Sequence, residues 1–294
     1  FGAGASASPS APSALGVSLP VLAGSDRERL LEDTGGPVKG DGFLLFPSDR
    51  RLAGFAAADA GADLEAATSE LYRQLFRATA GLHLYRIWNY VPRIHGSVRG
   101  MEGYHRFCRG RSLAFEREFG AGFQRLLPAA SAVGTPGGPL QVAFLAGRDS
   151  PRHFENPQQV PAFAYPPAYG PRPPSFSRAT LVAAESGRQL FVSGTAAIRG
   201  HATVAADDLE AQLACTFENL RLVAAVAGAG PDVGKRGWRR RFKVYLRRPA
   251  DLGTVQAALD RSLADGADTF SFLQAEICRS DLLVEIEAVL TEGG

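Results

Sequence analysis

Apolar and polar positions along this chain keep switching between two periods, and the switches mark its elements. Around Glu65 to Arg77 the apolar residues Leu64, Leu71, Tyr72, Leu75 and Phe76 recur at helical spacing. Residues 82–91 (LHLYRIWNYV) are aromatic and branched and stop at Pro92, which predicts a strand. A second helix is predicted over 104–119. Strands follow around 126–133 and 140–146, parted by the turn-forming GTPGG. The second half runs through the same kinds of element: strands over 178–184 and 189–193, then the turn-rich GTAAIRGH. Asp207 or Asp208 then caps a helix with the stripe Leu209, Leu213, Phe217, Leu220 and Val223, before a strand over 242–246 and a helix over 251–263. Helix, strand, helix, strand, strand therefore occurs twice. This predicts two related α+β domains, each a mixed sheet with helices on one face and a ligand cleft between them.

The last stretch, 272–289 (FLQAEICRSDLLVEIEAV), sets two alternating runs on either side of Arg279, Ser280 and Asp281 and predicts two strands joined by a tight turn. With Cys278 facing Leu283, Cys278 and Glu285 share a face as diagonal neighbours about 7–8 Å apart. On pattern alone, Glu285 and Glu287 lining a solvated face beside a small core cysteine is the commoner arrangement. A carboxyl and a thiol meeting on an apolar face is the other reading.

Residues 1–24, small and rich in Pro and Ser, are expected to form a flexible arm. The first domain is expected over 25–154, a proline-rich link over 155–177 and the second domain over 178–294. A net charge of +2 on 294 residues points to neither nucleic acid nor an anionic membrane. The basic run KRGWRRR (235–241) reads as a solvated loop. No apolar stretch reaches membrane-spanning length, and no signal-peptide pattern opens the sequence. Cys108, Cys215 and Cys278 are widely spaced with no CxxC, so neither a disulfide framework nor a zinc site is indicated and the cytoplasm is the expected compartment. There is no GxGxxG, P-loop, HExxH or GxSxG, and the five histidines lack ligand spacing. No metal is expected. Candidate chemistry is left to arginines around the first domain's strand and second helix (Arg86, Arg93, Arg106, Arg109, Arg111), most of them expected at the surface. Asn89 and the link tyrosines Tyr165 and Tyr169 complete the set.

Five segments carry a resemblance: RIWNYVPRI (86–94), GYHRFCRGR (103–111), ENPQQVPAFAYPPAYGPRPPSFSRA (155–179), SGTAAIRGH (193–201) and QAEICRSDLLVEIEA (274–288). The C-terminal half resembles the reactive-intermediate deaminase (YjgF-type) fold. The arginine that small deaminases carry before the strand glutamate has no counterpart in Thr269-Phe270-Ser271-Phe272. The chain beyond the arm resembles the chorismatases, two-domain relatives of that fold that remove the enolpyruvyl group of chorismate as pyruvate. The resemblance implies that Glu285 protonates the enolpyruvyl methylene. It implies that Asn89, Tyr104, Arg111, Tyr165, Gly194, Thr195 and Arg247 hold substrate, and that Cys278 marks the members forming 3-hydroxybenzoate. It implies no cofactor, chorismate as the small-molecule partner, and a monomer or homotrimer. The alternatives are a chorismatase yielding the trans-dihydroxycyclohexadiene carboxylate, an imine/enamine deaminase, a non-catalytic metabolite-binding protein, and a mutase-type rearrangement to prephenate.

Elementary chemistry agrees with that assignment. Protonating the terminal carbon of a vinyl ether makes an oxocarbenium, so the reaction needs a positioned acid. A carboxyl in an apolar cleft beside substrate carboxylates is expected to have a raised pKa. The two carboxylates of a dianion need cations or oriented N–H donors.

Overall fold

The computed structural model describes residues 16–17, 19–31, 34–61, 63–184 and 187–293. Strand β1 (Val21–Gly24) comes first, followed by β2 (Val38–Gly40), β3 (Phe43–Pro47) and β4 (Arg51–Ala58). Helix α1 (Leu64–Ala78) leads into β5 (His83–Pro92). A small hairpin, β6 (Ser97–Val98) and β7 (Met101–Glu102), precedes α2 (Gly103–Phe119), and β8 (Ala129–Thr135) and β9 (Leu140–Gly147) follow. After β10 (Pro151–Phe154) the proline-rich link runs extended, with single turns at Ala162–Ala164 and Pro167–Tyr169, because its prolines forbid a longer helix. The second half comprises β11 (Ala179–Ala184), β12 (Gly187–Thr195), the hairpin β13 (Ile198–Arg199) and β14 (Ala202–Thr203), α3 (Leu209–Val226), β15 (Trp238–Leu246), α4 (Leu252–Ser262), β16 (Thr269–Gln274) and β17 (Val284–Glu292).

The duplication is plain in the sheets. One has the order β2-β3-β4-β9-β5-β8, the other β1-β16-β15-β17-β12-β11-β10. The runs β3-β4-β9-β5-β8 and β11-β12-β17-β15-β16 match strand for strand, and the parallel pairs, β5 with β8 and β15 with β16, fall at equivalent places. The fold is thus two α+β units of one design. Local sequence starts the helices where it should: the Asp63 carboxylate accepts from the Ala66 N–H at 3.0 Å, and the Asp208 carboxylate accepts from the Ala211 N–H at 3.0 Å. Asp208, not Asp207, is the cap of α3; Asp207 lies in the turn before it at φ 62°.

Each sheet buries both faces. Leu75, Phe76, Phe107 and Phe115 of α1 and α2 pack on Ile87, Val91, Val142 and Phe144 of the first sheet. Leu213, Phe217, Leu220 and Val255 of α3 and α4 pack on Val244, Ile286, Ala288 and Leu290 of the second. The remaining faces press against each other through Tyr85, Trp88, Val133, Phe191, Tyr245 and Val289. Four layers result, helix, sheet, sheet, helix, with the seam between the sheets as the innermost plane.

Three boundaries differ from expectation. The tight hairpin over 272–289 does not form: β16 and β17 both pair with β15, one parallel and one antiparallel, and residues 275–283 cross between them. That crossing is held by the Ala275 N–H on the Leu246 carbonyl (3.0 Å) and by Glu276, whose carbonyl accepts from the Gly134 N–H of β8 at 2.7 Å. Of the expected N-terminal arm, residues 1–15 and 18 lie outside the described residues, whereas β1 pairs with β16 and is itself the end strand of that sheet. β10, expected within the first domain, pairs with β11 of the second sheet. Among the described residues no helix is long and apolar enough to cross a membrane.

Candidate active site

Side-chain alternation on β17 decides the chemistry of the seam. Val284, Ile286, Ala288 and Leu290 point to the helices, so Glu285 and Glu287 point to the opposing sheet, 4% and 3% exposed. The solvated glutamate face is therefore not what forms. A bulge in β5 between Leu84 and Arg86 turns both Tyr85 and Arg86 into the same seam, against the simple period of two.

The two glutamates meet opposite environments. Glu287 Oε1 accepts from Trp88 Nε1 (2.7 Å) and Lys243 Nζ (2.9 Å), and Oε2 accepts from Arg86 Nη2 (2.7 Å), Ser131 Oγ (2.5 Å) and Tyr245 OH (3.3 Å). Burial pushes its pKa up, but Lys243, Arg86 and the Ser131 hydrogen bond outweigh burial and bring it down to about 2. Glu285 Oε1 is buried and has no hydrogen-bond partner among the described residues. Burial first, then the neighbouring Glu287 charge, raises its pKa to about 8, with Arg86 and Arg178 pulling the other way. One face of one strand thus carries a carboxylate and, near neutrality, a carboxylic acid. Such splitting separates acid from anion roles in enzymes.

Ser131 of β8 ties the pair to the floor of the site. Besides donating to Glu287, its Oγ accepts from Arg86 Nη2 and, at 2.9 Å, from the Gly194 N–H. Gly194 lies directly under the acid: a Cβ there would come within 1.9 Å of Glu285 Oε1. Only bare backbone lets the carboxyl rest at that position.

Glu285 opens into a cavity of about 310 Å³ walled by both halves and by the link. Its polar wall includes the two arginines Arg111 and Arg178. Arg111 of α2 is 2% exposed, its Nε and Nη2 lack hydrogen-bond partners among the described residues, and its guanidinium lies 5.3 Å from the Tyr72 ring centre. Arg178 donates from Nη2 to Tyr165 OH at 2.8 Å, while its Nε makes no hydrogen bond among the described residues and pairs with Glu155 at 3.8 Å. At the mouth Arg279 stacks 4.2 Å from the Tyr169 ring centre, and His201 Nδ1 is 3.1 Å from Tyr169 OH. Cys278 faces the cavity. Burial, then the Glu285 charge, raises its thiol to about 12, so it carries its proton at neutral pH. Burial likewise holds the Tyr104 phenol well above its usual range.

Of the residues singled out from sequence, Glu285, Cys278, Tyr104, Arg111, Tyr165 and Gly194 line this cavity together. Three stand behind its wall. Asn89 points to the helix side of β5, where Oδ1 accepts from Tyr72 OH at 2.7 Å and Nδ2 donates to the Ser131 carbonyl at 2.8 Å. Thr195 is buried, donating to the Ser193 carbonyl at 2.8 Å. Arg247 pairs with Glu276 at 3.0 Å and donates to the Arg279 and Ser280 carbonyls, pinning the 275–283 crossing. Each has its polar atoms committed elsewhere. Sequence reasoning passed over Ser131, Arg178 and Arg279 and left Glu287 without a role. Of these only the glutamate, two residues from Glu285, was readable. Among the described residues no group of three or more His, Cys, Asp and Glu side chains gathers to hold a metal.

Comparison with known proteins bears on most of the chain. The family described as Chorismatase FkbO/Hyg5-like, N-terminal, matches residues 41–146. A 3-hydroxybenzoate synthase of Streptomyces hygroscopicus is 40% identical over 220 residues, which is 70% of this chain and 63% of the synthase. A chorismatase of Streptomyces rapamycinicus is 39% identical over 267 residues, covering 85% of this chain and 77% of the relative. This chain belongs to the chorismatase family. A chorismatase crystal structure agrees with it at a TM-score of 0.80 and 33% identity, across 88% of this chain and 80% of the other. In this member of the chorismatase family the cavity straddles the matched first-domain segment. Tyr104, Arg111 and Ser131 come from inside 41–146, and Gly194, Cys278 and Glu285 from beyond it.

Proposed function

We propose that this chain converts chorismate to 3-hydroxybenzoate and pyruvate, with Glu285 as the acid that protonates the enolpyruvyl methylene carbon. The observation that carries this reading is the Glu285 carboxyl itself. It is buried at the seam, lines the cavity, has an oxygen without a hydrogen-bond partner among the described residues, and stays protonated up to about pH 8. The N–H groups of Arg111 that have no hydrogen-bond partner among the described residues, and the positive charge of Arg178 on the same wall, supply what a dianion's two carboxylates require. Protonation leaves an oxocarbenium on the side chain and a carboxylate on Glu285. The neighbouring ring hydroxyl then attacks the ring carbon bearing the ether. Its proton returns to Glu285, the carbon–oxygen bond breaks, and pyruvate departs with the bonding pair. The epoxide-like ring that remains opens to the aromatic acid. A thiol that keeps its proton suits Cys278 to donating that proton to the opening oxygen, and the proton lost from the ring carbon on aromatisation restores it.

Incubating purified protein with chorismate tests this directly. Pyruvate and 3-hydroxybenzoate are expected in equal amounts; absence of pyruvate refutes the substrate, and a diol refutes the product. Cys278→Ala is expected to keep pyruvate release within about tenfold while moving product from the aromatic acid toward the trans-diol, because only the second step loses its donor. An unchanged product ratio, measured by liquid chromatography, sinks that role. The pH dependence follows from the sign of the Glu285 shift. Since the working form is protonated, kcat/KM is expected to be flat at lower pH and to fall about tenfold per pH unit above about 8.

A further inference from the structure

Glu287 has no place in the steps above, yet it is the most heavily bonded side chain of the seam. It shares a strand face with Glu285, and both are more than nine-tenths buried. The groups facing it come from every element around. Arg86 and Tyr90 are on β5, Lys243 and Tyr245 on β15, and Ser131 on β8, while Glu28, before β2, pairs with Lys243 at 2.8 Å from the far side. Glu285 in turn faces Glu287, Arg86, Arg178, Tyr245 and Cys278. Two features link the carboxylates. One is mechanical: Glu287 holds Ser131, Ser131 holds the Gly194 N–H, and Gly194 is the surface on which Glu285 Oε1 lies. The other is electrostatic. Arg86 favours an ionised Glu285, and the anion at Glu287 opposes it at close range in a dry seam.

We infer that Glu287 is a positioning residue for Glu285: its ionised carboxylate offsets the Arg86 charge and so keeps the acid protonated, while Ser131 and Gly194 fix where that acid stands. This rests on the reading of Glu285 as the proton donor. Glu287 is not among the residues that line the cavity into which Glu285 opens. It acts by leaving its neighbour a proton to give, at the expense of an ionised group held out of water by its cation partners.

Charge variants of opposite sign test the inference through the pH–rate profile of the full chain with chorismate. Glu287→Gln removes the anion and leaves Arg86 without its carboxylate partner, while Lys243 keeps Glu28. The alkaline limb is then expected to move down by about one pH unit or more, so that activity relative to wild type is about fivefold lower, or more, near pH 8 than near pH 6. Lys243→Met strips a cation from Glu287 and is expected to move the limb upward. A Glu287→Gln protein that loses activity evenly across pH, with its limb where wild type has it, overturns the inference by leaving only a structural role. If Glu287→Gln does not fold, Lys243→Met decides alone: an upward shift supports the inference and an unmoved limb overturns it. A wild-type profile without an alkaline limb, or a Glu285→Gln protein with wild-type turnover, is a different failure, because it removes the acid and takes the inference down with it.

Discussion

Glu285→Gln protein is expected to lose chorismate turnover by at least about 10²–10⁴-fold, the usual contribution of a positioned proton donor. It is also expected to resist denaturation better than wild type at alkaline pH. The first effect follows from chemistry: an amide has the shape of the acid but no transferable proton at neutral pH. The second follows from linkage. The folded pKa of Glu285, about 8, lies above the ordinary value of 4.5. Below about 4.5 the group is protonated in both folded and unfolded chains and adds nothing. Between about 4.5 and 8 the folded chain holds a proton that the unfolded chain has released, so stability falls as pH rises. Above about 8 the penalty is complete, on the order of a few kcal/mol. Glutamine does not titrate and escapes it. Urea midpoints for the two proteins at about pH 5 and about pH 9 are therefore expected to diverge only at the higher pH. A constant offset at both values means that Glu285 is not held protonated by the fold, and near-normal turnover by the variant means that another group is the acid. Activity of this kind is maintained at a cost in stability.

How much of this was readable beforehand depends on which physical rule governs each element. Periodicity located α1, α2, α3 and α4 and the strands that carry the seam, because each buries one face against a helix layer and writes that face into the sequence. It also put Glu285 and Glu287 on a common face. It did not reveal that the face was buried. Alternation gives the same signal for a solvated face and for a polar seam between two sheets. The tight hairpin failed for a related reason. Runs such as FLQAEIC and LLVEIEAV show that strands are present and do not say which strand each pairs with; β15 offers both its edges and separates them. Short β1 and β10 carry too little pattern to show which sheet they join. In the site, long-range partners were invisible in one dimension. Asn89 was singled out for its aromatic neighbours, yet its amide is used up by Tyr72 and Ser131. Ser131 looked like a small residue in the apolar run AASAVGT, although it joins an acid, an arginine and a glycine from three strands. The Arg86 position could be read and its partner could not, because the β5 bulge that turns it inward leaves no mark in hydropathy.

Replacing Arg111 with methionine is expected to stabilise the protein by about 1–4 kcal/mol while lowering kcat/KM for chorismate by roughly 30-fold to several thousandfold. The opposite signs share one cause. Arg111 is 2% exposed, and its Nε and Nη2 have no hydrogen-bond partners among the described residues. The Tyr72 and Phe115 rings, 5.3 and 5.9 Å from its guanidinium carbon, offer only partial compensation for a cation withdrawn from water. Methionine has a similar length, packs against the same rings and carries no charge, so the free protein relaxes. The bound state loses instead: a substrate carboxylate that has given up its hydration would face an apolar thioether where two N–H donors had been arranged. Lysine at this position restores charge without the planar fork and is expected to recover only part of the lost kcat/KM, with the defect mainly in KM. Pyruvate release at limiting chorismate and urea unfolding without substrate measure the two effects separately. A methionine variant that is less stable and yet binds chorismate with wild-type affinity shows that Arg111 supports α2 and takes no part in holding the dianion.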